Sequence, residues 1–254
     1  MNTTTICGIR FHCITMEETL NFIEDKANCT DGKYHIHTAN VDHLVLIQKD
    51  KHFKDIINNS DLVTCDGMPI VWVSKLYKNS IPERVTGADI TERILLESDI
   101  RGLRVFLLGA KPGVAARAAE KIRKRNPQAK IVGYYSPTNE ELSNELKNQE
   151  IIKKINNSNA NVLLVAFGSP KQEKWINKYR QNLFPNVTIG VGAAFDFIAE
   201  EIKRAPKFIR EMGFEWLYRL LKEPRRLWKR YILNDSKFVI YVLLDLLRRR
   251  KYGE

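Results

Sequence analysis

The sequence predicts an α/β fold of the Rossmann-like kind, with a mainly parallel sheet that carries helices on both faces. Up to about residue 200, apolar runs rich in Val, Ile and Leu alternate with helical patterns. This alternation is typical of parallel strands that are buried on both sides by their crossover helices. The last fifth of the chain differs, because it is basic, amphipathic and without strand patterns. We therefore expect an α/β core followed by a helical appendage.

The first half of the chain supplies three or four of the expected strands. "ICGIRFHCI" predicts one or two short strands, and Thr15 then begins a helix with Glu18 as its capping-box partner. "YHIHTAN" predicts a strand that leads into the helix "VDHLVLIQKD", and "DLVTCD" predicts the next strand. The helix "GMPIVWVSKLY" follows with Pro69 in its first turn, where proline is tolerated. "RVTGADITERILLES" predicts a loop and another helix.

The second half repeats the strand-helix alternation. "LRVFLLGAKPGVAARAAEKIRKRNP" predicts a buried strand, a glycine turn and a long helix, and "AKIVGYYSP" predicts a strand. "NEELSNELKNQEIIKKINNSN" predicts a single helix. "ANVLLVAFGSP" predicts a strand with "KQEKWINKYRQNL" as its following helix, and "VTIGVGAAFDFIAE" closes the set.

The appendage holds most of the positive charge. Residues 203–254 carry +9 of the net charge of +11, which favours a polyanionic partner such as a phosphorylated substrate or an anionic membrane. Pro206 interrupts the helical pattern, so we predict a core over 1–203 and an appendage over 204–254. "FEWLYRLLKEPRRLWKRYIL" gathers its apolar residues on one side, with a break or a new helix at Pro224.

Two interpretations of the appendage stay open at this point. The segment "FVIYVLLDLLRRRKY" is too short to span a bilayer, which needs ~20 apolar residues, but it suits a helix that lies on a membrane surface. An ordinary amphipathic helix packed on the core explains the same pattern, and a nucleic-acid surface has no motif to support it.

The cysteine and histidine patterns give no sign of a disulfide framework or a metal site. The four cysteines lack CxxC spacing and are expected to be reduced thiols of a cytosolic protein without a secretory signal. His35, His37 and His43 lie close together, but their spacing does not match a zinc motif. No cofactor is expected either.

Small, polar or glycine residues directly follow the predicted strands, where open parallel sheets bind their ligands. They are Thr38, Asn40, Asp66, Gly67, Gly109, Ala110, Gly113, Gly168, Ser169, Gln172, Gly192 and Asp196. Asp66 is the most informative member, since it either caps the next helix or does chemistry in the ligand crevice. The sequence contains no Asp-x-Asp pair, the carboxylate arrangement that often holds a divalent ion on a nucleotide diphosphate.

Seven segments in this order resemble the WecG/TagA/CpsF family of bacterial glycosyltransferases. They are "HTANVDHLV", "TCDGMPIVW", "ERVTGADI", "VFLLGAKPG", "VAFGSPKQEKWI", "GVGAAFDFIAEEIKRAP" and "EWLYRLLKEPRRLWKRY". The resemblance implies inverting, metal-independent transfer of N-acetylmannosamine, or a related sugar or uronic acid, from a UDP-sugar to a polyprenyl-diphosphate-linked N-acetylglucosamine. It places such an enzyme in the synthesis of teichoic acid, enterobacterial antigen, capsule or exopolysaccharide, at the inner face of the cell membrane.

The resemblance also implies roles for particular residues. Asp66 matches the general base. Thr38, Asn40, Arg84 and Gln172 match residues around the sugars, and Gly109, Ala110, Tyr135 and Asp196 match the nucleotide end. Arg219 and Arg226 match appendage arginines on the donor diphosphate, and a third basic position falls on Lys229 or Arg230. The family's appendage docks on the membrane and completes the active site.

Two other classes of protein compete with this interpretation. A nucleotide-binding oxidoreductase on a similar sheet would need an acidic ribose-binding residue and a tighter glycine fingerprint, and neither is evident. A basic nucleic-acid-binding protein would explain the charge but not the ordered polar strand ends. The donor sugar, the polymer pathway and a homo-oligomeric state stay open.

Overall fold

The computed structural model describes residues 1–30, 32–229 and 234–252, apart from the side chains of residues 211, 226, 227, 251 and 252. Eight strands form within these residues. They are β1 Thr3–Ile6, β2 Ile9–His12, β3 Tyr34–Ala39, β4 Leu62–Cys65, β5 Val105–Gly109, β6 Ile131–Tyr135, β7 Val162–Ala166 and β8 Val187–Gly190. The first two make an antiparallel hairpin, and the other six form one sheet in the order β4-β3-β8-β7-β5-β6. Each neighbouring pair in that sheet is parallel, which confirms the predicted fold class.

Helices connect the strands and continue after the last one. Those of the first half are α1 Met16–Ala27, α2 Val41–Leu46, α3 Lys51–Asn58, α4 Met68–Ser74, α5 Gly87–Leu96 and α6 Val114–Arg125. Those up to β8 are α7 Asn139–Ser143, α8 Glu145–Asn156 and α9 Lys171–Tyr179, with a 3₁₀ turn at Arg180–Asn182. Those after β8 are α10 Ala194–Ile198, α11 Lys207–Glu211, α12 Glu215–Lys222, α13 Pro224–Trp228 and α14 Lys237–Tyr252.

Both faces of the sheet are buried by helices. Alternate residues of a strand point to opposite faces, so Leu107 and Leu164 pack under α1, α5, α6 and α10, while Leu108 and Leu163 pack under α8 and α9. At the other end of that second face, Val63 and Cys65 pack with the hairpin and with α2, α3 and α4. The carboxyl ends of β3, β4, β7 and β8 therefore share one edge, which positions the candidate site.

The segment expected to form one helix after β6 forms two, so that prediction is wrong in detail. Asn144 takes an extended conformation (φ −103°, ψ 121°), and its side chain caps α8 by accepting from the Lys147 amide. The Nδ2 of Asn148 also donates to the carbonyls of Leu142 and Asn144, which satisfies the end of the short α7. A side chain that bonds the backbone in a non-helical conformation favours such a break.

Helix α14 packs on the core with one side. Phe238 and Val242 are buried in the cluster around the hairpin and α4, at 5% and 6% exposure. The other side carries five apolar residues that are between 47% and 64% exposed, the C-terminal apolar face: Val239, Ile240, Leu243, Leu244 and Leu247. Among the helices of the described ranges, none is long and apolar enough to cross a bilayer.

Candidate active site

A cavity of about 330 Å³ opens at the carboxyl end of β4 and is called here the Asp66 cavity. Its core-side lining comes mainly from the loops after β3 and β4 and from the start of α5: Asn40, Val41, Asp42, Asp66, Gly67, Met68, Pro69, Arg84, Thr86, Ala88 and Phe197. The C-terminal segment supplies Arg204, Gly213, Glu215, Trp216, Arg219, Asp235, Ser236, Phe238 and Val239. The cavity is thus built jointly by the core and the residues after it.

Asp66 does not cap the helix that follows it. Gly67 occupies the N-cap position of α4, and no side chain makes a capping hydrogen bond there. The backbone amide of Asp66 donates to the Ala39 carbonyl at 2.8 Å, which fixes the residue at the edge of the sheet. The Asp66 carboxylate therefore does not cap α4, and Asp66 lines the cavity wall.

The surroundings of Asp66 raise the pKa of its carboxyl group. Burial is the main cause; Arg84 and Arg204 oppose it, the carboxylates of Glu215 and Asp89 add to it, and together these effects bring the pKa to about 6. A carboxylate with a pKa near neutrality is both a stronger base than an ordinary aspartate and largely ionised at pH 7. A general base needs both of these properties.

Two of the four predicted sugar-site residues line this cavity, and two do not. Asn40 lines it while capping α2, since its Oδ1 accepts from the His43 amide at 3.2 Å. Arg84 also lines it. Thr38 is buried and its Oγ1 lies 3.5 Å from the Gly190 carbonyl, away from the lining.

Gln172, the fourth, is buried beneath the loops that follow β7 and β8. Its Oε1 accepts from the amides of Gly168 (3.2 Å) and Gly192 (3.1 Å), and its Nε2 donates to Glu173 Oε1 at 2.8 Å. The side chain thus ties two strand-end loops together and lies outside the Asp66 cavity lining. Thr38 and Gln172 therefore do not line the cavity that holds Asp66. Their sugar-binding roles stay predictions.

A network of ion pairs crosses the cavity from the core to α12. Glu215 Oε2 accepts from Arg84 Nη1 at 2.9 Å, and Glu215 Oε1 accepts from Arg204 Nε at 3.2 Å. Arg204 Nη1 also pairs with Asp89 Oδ1 at 2.6 Å, and Arg210 Nη1 reaches the same oxygen at 3.3 Å. The segment after residue 203 is thus held to the start of α5 by charged groups.

The appendage arginines differ in where they lie. Arg219 lines the cavity with its guanidinium 5.6 Å from the Phe197 ring centroid, and Arg204 lies 5.7 Å from the same ring. Lys229 is exposed, with its Nζ 5.8 Å from the Trp228 ring. The side chain of Arg226, in α13, and the whole of Arg230 lie outside the described residues.

The predicted nucleotide-end residues lie outside the lining of the Asp66 cavity. Gly109 has a φ of +112°, and a Cβ there would meet the Ala166 carbonyl oxygen at 2.6 Å, so only glycine fits this strand end. Ala110 follows with a φ of +58°, and its amide donates to that same carbonyl. Tyr135 donates its hydroxyl to Glu141 at 2.6 Å under the Lys154 ammonium. Asp196 lies half-buried in the first turn of α10, directly before Phe197 of the cavity.

Three buried side chains behind the site form the one group of potential metal ligands found in the described ranges. One ligand atom each from His37, His43 and Glu173 lies within 4.8 Å of the others. His37 Nε2 and His43 Nδ1 are 3.2 Å apart and share a hydrogen bond. Burial lowers the pKa of His37 to about 3, so its imidazole is neutral at pH 7, and burial also raises the pKa of Glu173. The hydrogen bonds of His43 to His37 and of Gln172 to Glu173 account for this group without a bound ion.

Sequence reasoning missed Asp89, Phe197, Arg204 and Glu215 as members of the site. Most of their contacts join residues far apart in the chain, as the Arg204–Glu215 pair, 11 residues apart, and the Arg84–Glu215 pair, 131 residues apart, illustrate. No local spacing encodes such contacts. The one available signal is that Arg204 lies in "IKRAP", two residues before the proline that interrupts the helical pattern.

Comparisons with known proteins identify the family of this chain. Residues 4–252 match the Glycosyl transferase WecG/TagA/CpsF family. One relative, the N-acetylglucosaminyldiphosphoundecaprenol N-acetyl-beta-D-mannosaminyltransferase of Bacillus subtilis strain 168, is 33% identical over 218 residues, which cover 85% of this chain and 82% of the relative. The enzyme of the same name from Bacillus spizizenii strain W23 is 35% identical over 208 residues, covering 81% and 77%. The chain therefore belongs to the WecG/TagA/CpsF family and is a glycosyltransferase.

Proposed function

We propose that this protein transfers N-acetylmannosamine from a UDP-sugar to N-acetylglucosamine carried on undecaprenyl diphosphate, in synthesis of a teichoic-acid-type polymer. The names of the two Bacillus relatives specify this acceptor and a β-linked N-acetylmannosaminyl product. The observation that carries the proposal is the Asp66 cavity itself, where a carboxylate with a pKa of about 6 lies among guanidinium groups from both parts of the chain.

Asp66 acts as the general base in this proposal. Its carboxylate takes the proton from the acceptor hydroxyl while that oxygen attacks the anomeric carbon on the face opposite the nucleotide. The bond from the anomeric carbon to the diphosphate breaks with its electron pair, so UDP leaves and the configuration inverts. A leaving group as good as UDP needs no general acid, unlike the inverting hydrolysis of a glycoside.

Guanidinium groups stabilise the charge that builds on the departing diphosphate. Arg219 lines the cavity beside Phe197 and is the described appendage arginine best placed for this role, with Arg226 and either Lys229 or Arg230 as further candidates. Fixed donors aimed at developing charge commonly contribute several kcal/mol, about 2.7–4 for one donor. The absence of an Asp-x-Asp pair from the sequence supports charge stabilisation without a metal ion.

In this proposal the chain divides into a core over 1–203, and an appendage over 204–254 that binds the membrane surface. Exposed apolar side chains gather on the C-terminal apolar face and on Phe208, Met212 and Leu221, which are 58% to 73% exposed. Arg248 and Arg250, both exposed, follow at the end of α14. Apolar residues with adjacent arginines suit the surface of an anionic bilayer, which would hold the enzyme peripherally on the inner face of the membrane next to its lipid-linked acceptor.

A UDP-release assay across a panel of UDP-sugars tests the proposal. With a short-chain prenyl-diphosphate N-acetylglucosamine acceptor, release is expected with UDP-N-acetylmannosamine and to depend on the acceptor. Faster release with another UDP-sugar would replace the proposed donor. Equal release without the acceptor would contradict transfer to the lipid-linked sugar.

A further inference from the structure

The carboxylate of Glu215 is held as a bound anion would be held. Its two oxygens go to two different guanidinium groups, Oε2 to Arg84 Nη1 at 2.9 Å and Oε1 to Arg204 Nε at 3.2 Å. All three side chains are only 14–15% exposed, and all three line the Asp66 cavity. Two guanidinium groups that share one oxyanion form the type of site that proteins use for carboxylates and phosphates.

The two guanidinium groups have a second support that does not depend on Glu215. Asp89 Oδ1 pairs with Arg204 Nη1 at 2.6 Å, and Asp89 Oδ2 lies 3.9 Å from Arg84 Nη2. Asp89 is itself fixed by the Thr86 hydroxyl, which donates to Oδ2 at 2.7 Å. Removal of Glu215 would therefore leave Arg204 held by Asp89 beside the cavity and Arg84 close by, with the one carboxylate of Asp89 shared among Arg84, Arg204 and Arg210.

The position of this pair fits the diphosphate of the donor. Arg204 and Arg219 contact the same Phe197 ring, at 5.7 and 5.6 Å, so an anion on Arg84 and Arg204 would lie beside the arginine already proposed for the diphosphate. The chain places Asp66 on the wall of the same cavity. A diphosphate carries two charges and more acceptor oxygens than a carboxylate, so it can replace Glu215 at both guanidinium groups.

We propose that Arg84 and Arg204 form a diphosphate subsite that Glu215 occupies until the diphosphate of the donor displaces it. Arg204 is then a substrate-binding residue, and Glu215 is an internal competitor carried on the first turn of α12. Binding of the donor releases α12 from the core at this point. The inference rests on the proposed function, since it assumes a nucleotide-diphosphate donor.

The alternative is that Glu215 only anchors α12. The two explanations predict different effects of Glu215→Gln on the affinity for UDP. If Glu215 competes, the neutral amide should make UDP and inorganic pyrophosphate bind about 3- to 10-fold more tightly, because less of the subsite is blocked. If Glu215 only anchors α12, its loss should weaken UDP binding or leave it unchanged. Calorimetric titration of the full chain with UDP and with pyrophosphate separates these outcomes.

Arg204→Lys provides an independent test that does not rely on the first variant. Lysine keeps the charge but loses the planar fork, so UDP and pyrophosphate should bind about 10-fold more weakly or worse. The matched controls come from the surface pair Arg117–Glu201, at 2.7 Å and nearly half exposed, outside the Asp66 cavity. Glu201→Gln and Arg117→Lys should leave both affinities unchanged.

The possible results have separate meanings. Tighter binding by Glu215→Gln together with weaker binding by Arg204→Lys supports the subsite. Unchanged or weaker binding by Glu215→Gln, or unchanged binding by Arg204→Lys, overturns it while leaving the proposed function intact. Failure of the wild-type chain to bind UDP at all overturns both.

Discussion

The hydroxyl of Tyr77 donates a 2.7 Å hydrogen bond to Asp245 Oδ2, which joins α14 to the segment after α4 across 168 residues of chain. The same oxygen accepts from the backbone amide of Cys7 at 3.0 Å. The guanidinium of Arg249 lies 5.0 Å from the Tyr77 ring centroid and donates to the Thr5 carbonyl at 2.8 Å. One half-buried carboxylate thus organises the contact that holds α14 over the core and along the Asp66 cavity.

Loss of this hydrogen bond should loosen α14 locally. A hydrogen bond to a charged acceptor contributes about 1.5–3 kcal/mol, so Tyr77→Phe should speed amide hydrogen exchange in α14 by about 10- to 100-fold. Tyr179→Phe is the matched control, because Tyr179 donates to Glu145 at 2.9 Å far from α14. Equal exchange in α14 of wild type and Tyr77→Phe would show that apolar packing alone holds the helix.

The raised pKa of Asp66 carries a stability cost above pH 6. Between its ordinary pKa of 3.8 and the raised value of about 6, the folded state binds more protons than the unfolded state, so stability falls as pH rises through this window. Asp66→Asn removes the charge and should raise the free energy of unfolding at pH 7.5 by about 1–3 kcal/mol, with the gain vanishing near pH 4.

Urea unfolding at the two pH values measures this difference. Asp55→Asn on the exposed side of α3 serves as the control and should change the free energy by less than about 0.5 kcal/mol. A destabilised Asp66→Asn at pH 7.5 would mean that the carboxylate makes contacts that hold the fold together.

Arg219 should matter for the transfer reaction more than its neighbours do. Arg219→Ala removes a guanidinium from the cavity and should lower kcat/KM for the UDP-sugar by about 10- to 100-fold, the value of one charged hydrogen bond of 1.5–3 kcal/mol. Lys222→Ala, an exposed cation on the same helix outside the cavity lining, should leave kcat/KM within about 2-fold. A similar decrease in kcat/KM in both variants would mean that the total positive charge of α12 matters, and not a specific contact of Arg219 with the donor.

The C-terminal apolar face should be required for membrane binding. Replacing Leu243, Leu244 and Leu247 by Ser, all exposed on α14, should abolish co-flotation with anionic vesicles while leaving the fold intact. Leu146→Ser, at 75% exposure on α8, is the control and should float as the wild type does. Undiminished flotation of the triple variant would contradict a docking role for this face.

The position of the strand-end residues at one edge of the sheet was predictable from the sequence, but the orientation of each side chain was not. The parallel sheet followed from apolar runs between helical patterns, and this placed Asn40 and Asp66 at one edge. Gln172 follows its strand by the same rule, yet its amide points beneath the loops to Gly168, Gly192 and Glu173. Sequence position sets the edge of the sheet, whereas the local hydrogen bonds decide which way the side chain turns.

The charged network and the packing of the last helix depend on contacts that are distant in sequence. Glu215 looks like an ordinary first-turn glutamate of an amphipathic helix, and its partner Arg84 lies 131 residues away. The sequence pattern of α14 was compatible with both membrane docking and core packing. In the structure, the side with Phe238 and Val242 packs on the core, and the other side is the exposed C-terminal apolar face. Because residues 238–244 of α14 are apolar without a break, the sequence pattern does not show which of them face the core.

The pH dependence of transfer by the wild type and by Asp66→Asn tests the general-base assignment most directly. With the UDP-sugar and the acceptor well below saturation, the wild-type kcat/KM should rise tenfold per pH unit below about 6 and level off above it, as the carboxylate of Asp66 ionises. Asp66→Asn should be slower by about 10²–10⁴-fold at pH 7.5 and should lose that rise. A rate for Asp66→Asn close to the wild-type rate, or the same rise through pH 6 in the variant, would contradict the role of Asp66 as the base.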